Sequence, residues 1–232
     1  MAPNRLVLDL SHHNTVASWV DVKLAGIVGV IHKATESTNY VDPNYVAAKK
    51  AARNTGLLWG AYHFLRPGDM RKQAEYFVDK ADVAPEDLLA ADHEDAGVSL
   101  NDLKLFLQTV TDLSGRRPVL YSGNVIKEQV GVKTDAFLAQ HRLWIAQYGA
   151  TPKWPTQIWK NYWLWQYSDG NMGPEPSGCP GVTGNVDTNS ALDKNELVKS
   201  WGDVKEPVGE GVVEITIKAP PGVEVVVKRE VG

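Results

Sequence analysis

The chain predicts an α/β fold, an irregular β/α barrel of eight strands with helices mainly between the first five and a C-terminal β-hairpin extension. Three observations carry this expectation. Over the first half, short apolar runs alternate with amphipathic helical stretches, the rhythm of buried parallel strands joined by crossover helices. The later apolar runs are separated by short or proline-rich connections, which leaves the outer helical ring incomplete. No glycine-rich phosphate loop follows an early strand, which disfavours the competing architecture, an open doubly wound sheet.

Strands are expected at 6–10, 27–33, 57–64, 88–92 and 118–122, each apolar and bounded by turn or charged residues. Between them, Asp42-Pro43 offers an N-cap and a first-turn proline, an alanine-rich stretch follows through Arg53, and Gly56 stands at a C-cap position. A second helix is expected over 70–80. Ser99 with Asp102 forms a capping-box pattern, after which Leu103, Phe106, Leu107, Val110 and Leu113 make one apolar stripe ending before Gly115. Beyond Ser122, three further strands are expected at 143–148, 162–167 and 185–189. These elements place the barrel at 1–202. A linker at 203–211 then leads to a hairpin at 212–232, where Val213, Ile215 and Ile217 alternate with polar residues before the turn Ala219-Pro220-Pro221-Gly222. Because an isolated hairpin is marginal in water, it is expected to dock, to self-associate or to anchor an otherwise monomeric protein.

Composition narrows the classes. At 232 residues and 43% hydrophobic content the chain buries a full core, and a net charge of −4 without a basic run argues against nucleic acid or anionic lipid as partner. Cys179 is the single cysteine, which excludes an internal disulfide and a cysteine-based zinc site. No apolar run reaches membrane-spanning length, so no membrane insertion is expected. The N-terminal stretch lacks signal-peptide features. The expectation is a protein held in a host cytoplasm until lysis, or exported by a non-classical route.

Chemistry in such a barrel gathers at the C-terminal strand ends. Those ends carry Asp9 and Ser11; His32, Lys33 and Thr35; Tyr62 and His63; Asp92 and Glu94; Tyr121; Gln147 and Tyr148; Trp165 and Gln166; and Asp187 and Asn189. Asp92-His93-Glu94 is the central pattern, because side chains at i and i+2 of a strand emerge on one face. Neighbouring carboxylates repel, so one keeps its proton and serves as a general acid while the other stays charged. Aromatic faces stack on sugar rings while carboxyls and amides bind their hydroxyl and acetamido groups, so the lining suits a polysaccharide groove. Tyr62, Tyr148 and Trp165 are assigned to the cleft, and Trp144 and Trp163 to the core.

In order, Leu8-Asp9-Leu10-Ser11, His32-Lys33-Ala34-Thr35-Glu36, Gly60-Ala61-Tyr62-His63-Phe64, Asp92-x-Glu94, Leu120-Tyr121-Ser122, Leu143-Trp144-Ile145-Ala146-Gln147-Tyr148, Trp165-Gln166-Tyr167-Ser168 and Val186-Asp187-x-Asn189 resemble the strand-end motifs of glycoside hydrolase family 25. The resemblance covers roughly residues 5–200. It implies a lysozyme of the phage endolysin type that cleaves the β-1,4 bond between N-acetylmuramic acid and N-acetylglucosamine in peptidoglycan, with no cofactor. Glu94 matches the family's proton donor and Asp92 the carboxylate that orients the substrate acetamido group. Asp9 and Asp187 match supporting acids. Ser11, Lys33, Thr35, Tyr62, Tyr121, Gln147, Tyr148, Trp165, Gln166 and Asn189 are the expected substrate-binding residues.

This chain departs from the usual pattern at His93, whose side chain should point away from the cleft on a regular strand. Two other readings stand beside this one. A metal-dependent polysaccharide deacetylase would use His12, His13, His32, His63 and His93, although no H-x-H or H-E-x-x-H spacing supports it. A non-catalytic glycan-binding barrel would use the same aromatics without turnover.

Overall fold

The computed structural model describes residues 3–202, and the expected linker and hairpin at 203–232 lie outside the described residues. The elements run β1 (Val7–Leu10), β2 (Thr15–Val16), α1 (Trp19–Leu24), β3 (Gly29–Glu36), β4 (Tyr40–Val41), α2 (Tyr45–Asn54), β5 (Leu58–Phe64), α3 (Met70–Ala81) and β6 (Leu88–His93). They continue with α4 (Leu100–Ser114), β7 (Val119–Ser122), α5 (Asn124–Val130), β8 (Leu143–Ala146), β9 (Leu164–Ser168), β10 (Val182–Thr183), β11 (Asp187–Ser190) and α6 (Lys194–Lys199). None of the described helices is long and apolar enough to cross a membrane.

Eight strands close into a barrel in the order β1-β11-β9-β8-β7-β6-β5-β3, with β3 returning to β1. Each coincides with an expected strand. All neighbours are parallel except β11, which runs antiparallel to both β1 and β9. A reversed strand needs no crossover helix, so β9 reaches β11 without one, while the parallel step from β8 to β9 is made by 147–163, which carry no helix. Short β4 hairpins onto β3, and β2 pairs with β10 as a separate ribbon.

The pleat divides the core in two. Val7, Ile31, Leu88, Ala90, Val119, Trp144 and Leu164 fill the barrel interior, while the alternating Leu8, Val30, Leu89, Leu120 and Ile145 meet the helices outside. Trp201, beyond α6, plugs the N-terminal end: its indole N–H donates to the Trp59 carbonyl at 2.8 Å, and its ring leaves no room for a Cβ at Gly29, which would lie 2.5 Å from it.

Helix ends follow local chemistry. Asp69 caps α3, and at α4 Ser99 and Asp102 form the expected capping box, with Gly115 closing the helix at a φ of 69°. Asp42 corrects the expectation for α2, because the N-cap is Asn44. One Asp42 oxygen accepts the Asn44 N–H at 3.0 Å and the other the His12 N–H at 2.9 Å, so the carboxylate ties the β1 end to the turn before the helix.

Candidate active site

Four carboxyls meet at the C-terminal mouth. Asp9, Asp92, Glu94 and Asp187 line one cavity of about 150 Å³ together with Ser11, His13, Lys33, Tyr62, Phe64, Tyr121 and Trp144. Asp92 near the end of β6 and Glu94 just past it reach the cavity because alternation puts them on one side and sends His93 outward, where its Nε2 meets Gln129 Oε1 at 3.0 Å. Asp9 and Asp187 arrive as a directly opposed pair on β1 and β11.

A fixed amide scaffold holds the second pair. Gln166 Nε2 donates to Asp9 Oδ1 at 3.0 Å, Asp9 Oδ2 at 3.2 Å and Asp187 Oδ2 at 3.2 Å. Its Oε1 accepts from the Tyr121 hydroxyl at 2.9 Å, which sets which end of the amide faces the acids. Asn189 Nδ2 donates to Asp9 Oδ2 at 2.6 Å, and Asn189 Oδ1 accepts the Trp144 indole N–H at 2.6 Å. Asp92, by contrast, is buried with its Oδ1 lacking a hydrogen-bond partner.

Electrostatics push every acid upward. Burial leads in each case. For Asp92 the next cause is the Glu94 charge, while the Lys33 ammonium opposes it. Glu94 is open to solvent at the lip, yet enough protein surrounds its carboxyl to desolvate it, and the Asp9 charge raises it further. Asp187 is pushed up to about 9 by burial and then by Asp9, with which it shares a hydrogen bond; that bond, with those from Asn189 and Gln166, holds Asp9 back. The cluster therefore keeps protons near neutrality, as a general acid requires.

Ser11, Lys33, Tyr62 and Tyr121 line the cavity, with the Lys33 ammonium 4.9 Å from the Phe64 ring centre and paired with Glu36. Tyr148 stands exposed at the rim, its hydroxyl pushed up by burial and then by Asp187. Gln147 is half-buried outside the lining and accepts from Lys127 Nζ at 2.5 Å. Gln166 and Asn189 are buried hydrogen-bond donors to the acids and form no part of the cavity wall.

Two expected positions are corrected. Thr35 is fully buried on the outer side, its hydroxyl 2.7 Å from His63 Nδ1, because a bulge in the β3–β5 pairing between Lys33 and Thr35 breaks the alternation that would have turned both inward. Trp165 also packs outside, its indole N–H bonded to the Gln147 carbonyl at 2.7 Å, since Gln166 occupies the inward position beside it. Trp144 is core as expected, but it also floors the cavity; Phe64 and His13 are further lining residues that the strand-end reading did not assign. Trp163 is half-buried, with its indole N–H on Ser200 Oγ at 2.8 Å.

A closed barrel with four carboxyls and aromatic walls at its strand ends belongs to the class of glycoside hydrolases. The profile of glycosyl hydrolases family 25 matches residues 8–175, and the chain belongs to that family. It is 28% identical over 204 residues to lysozyme M1 of Streptomyces globisporus, a match covering 78% of this chain and 66% of that longer protein. The N,O-diacetylmuramidase of Chalaropsis sp. is 26% identical over 190 residues, covering 70% of this chain and 90% of its own. In structure, the bacterial lysozyme from Streptomyces coelicolor aligns with a TM-score of 0.74 at 27% identity, covering 84% of this chain and 95% of that one.

Proposed function

We propose that the chain hydrolyses peptidoglycan, cutting the β-1,4 bond between N-acetylmuramic acid and N-acetylglucosamine. One observation carries the mechanism: Asp92 on β6 and Glu94, the residue just past its end, line the same cavity from one side. Two carboxyls on one side do not flank an anomeric carbon, as direct displacement by a carboxylate requires. The substrate's own acetamido oxygen fills the nucleophile's place. Glu94 gives its proton to the glycosidic oxygen as that C–O bond breaks and the acetamido oxygen bonds to the anomeric carbon. Asp92, whose Oδ1 has no protein partner, accepts the acetamido N–H and turns its oxygen toward the sugar. Glu94 then takes a proton from the water that opens the cyclic intermediate. Asp9 and Asp187, locked by Gln166, hold substrate, and the Asp9 charge adds to burial in pushing the Glu94 carboxyl upward.

The family relationship and the lysozyme and muramidase relatives support this substrate class. Delivery to the wall as an endolysin, after a lesion in the host membrane, belongs to the same reading. The deacetylase alternative lacks a donor set: among the described residues no three His, Cys, Asp or Glu side chains are arranged to hold a metal ion. The test is digestion of purified cell walls with mass spectrometry of the soluble products. Reducing N-acetylmuramic ends are expected from the parent, and none from Glu94→Gln, a folded variant in which the amide cannot donate the proton. Asp92→Asn is expected to lose at least about a hundredfold in kcat. Parent-like clearing by Glu94→Gln, or reducing N-acetylglucosamine ends, would sink the assignment.

A further inference from the structure

A second groove, of about 360 Å³, adjoins the catalytic cavity on the outer side of β1. Ser11 lines both, so the two meet at the end of β1. One wall is the β1–β2 turn and Trp19 at the start of α1; the other is the first turns of α2, where Ala47 and its alanine neighbours present only methyl groups.

No lysine, arginine, aspartate or glutamate lines this groove, although such residues make up 22% of the chain. Its one titratable residue, His32, is 2% exposed and is held toward the neutral form by burial. His32 Nδ1 lies 2.8 Å from the Lys33 carbonyl, and a carbonyl only accepts, so Nδ1 carries the proton. Nε2 is then an acceptor with no partner among the described residues. The Trp19 indole N–H is likewise unbonded there, and the Asn44 amide is not spent on capping α2. The groove thus combines an aromatic wall, small apolar packing, one unpaired ring-nitrogen acceptor and free neutral donors.

We propose that this groove is an accessory saccharide site, holding an uncharged N-acetylhexosamine unit of the same glycan strand whose scissile bond lies in the catalytic cavity. The inference rests on the glycan reading above. A sugar ring lays its apolar face on the Trp19 indole, while a hydroxyl or acetamido N–H donates to His32 Nε2 and the Asn44 amide meets the remaining oxygens. The stem peptides of the wall are the competing ligand, but they carry carboxylates and amines, for which the groove has no countercharge.

The experiment uses the Glu94→Gln protein, so that binding is read without turnover. N-acetylglucosamine trimer and a free tetrapeptide stem are titrated separately while the Trp19 indole signal is followed by NMR. The trimer should shift that signal and the tetrapeptide should not; Ala47→Trp, which fills the groove from an exposed helix face, should abolish the shift. In the otherwise parental enzyme, Ala47→Trp is expected to lower kcat/KM on long glycan strands about tenfold while leaving the shortest cleavable fragment within about twofold. Asn44→Ala repeats the measurement without added bulk. A Trp19 signal indifferent to the trimer, a shift caused by the tetrapeptide, or equal losses on long and short substrates would overturn the proposal. Failure of the Glu94 assignment shows separately, in the product analysis of the Glu94→Gln digest.

Discussion

Replacing Asp187 by asparagine is expected to stabilise the protein, and to do so more at pH 8 than at pH 5. Asp187 is half-buried against Asp9, and burial followed by the Asp9 charge pushes it up to about 9. In the unfolded chain the same carboxyl titrates near about 3.9. Between those values the folded state binds a proton that the unfolded state has released, so this group's contribution to stability falls as pH rises. One group contributes at most about 1.4 kcal/mol per pH unit, or about 4 kcal/mol over three units. Sharing of the proton with Asp9 and relaxation of nearby solvent reduce the expected gain to roughly 1–2 kcal/mol. Asparagine keeps the geometry of the protonated acid: its oxygen accepts from Gln166 Nε2, which lies 3.2 Å from Asp187 Oδ2, and its amide donates toward Asp9. The measurement is urea unfolding of parent and variant at both pH values, read as the difference between the proteins. That difference matters because His63 and His93, each pushed down to about 4 chiefly by burial, give both proteins an opposing slope below about pH 6.5. A gap that stays constant or narrows at pH 8 would show that Asp187 is ionised in the fold.

Three further outcomes test the scaffold. Gln166→Leu strips Asp9 and Asp187 of their shared donor and takes from the Tyr121 hydroxyl its bond to the Gln166 amide oxygen, so a loss of roughly 3–5 kcal/mol is expected in urea unfolding; a loss below about 1 kcal/mol would mean that water replaces the amide freely. Trp201→Ala empties the barrel's lower plug and should cost roughly 3–5 kcal/mol by the same assay, with turnover per folded molecule unchanged. Ser99→Ala removes half of the α4 capping box, and thermal unfolding should report a loss of about 1 kcal/mol.

Strand periods are the most legible feature of the sequence, because the runs of β1, β3, β5, β6, β7 and β8 are largely apolar on both faces and fit only between barrel interior and helices; β11, Asp-Thr-Asn-Ser, is the polar exception. The missed elements are those with little apolar signal. Helix α1 buries only Val22, and α6 only Leu197, so neither shows a stripe; α5 follows a glycine, not a capping side chain. The ribbon of β2 with β10 is two residues long in each strand and joins segments distant in sequence, which no local pattern announces. Asp42 departs from the helix-start pattern of Asp-Pro because a long-range bond to the His12 N–H claims one of its oxygens.

At the site, residue types were legible and facing directions only partly so. The meeting of Asp92 and Glu94 at one cavity is legible because a strand-end D-x-E needs only regular alternation, which β6 obeys. Thr35 was lost to a bulge that leaves no mark in its own residues, and Trp165 to parity, since adjacent strand residues cannot both face the cleft and Gln166 takes the inner place. That substitution of roles explains the chemistry. An inward tryptophan at position 165 would give a sugar a platform but leave Asp9 and Asp187 without a shared donor. The inward amide holds two like-charged groups together and lets them keep a proton. Behind burial, the Asp9 charge raises Glu94, so the carboxyl proposed as proton donor is tuned in part by an acid that Gln166 holds in place.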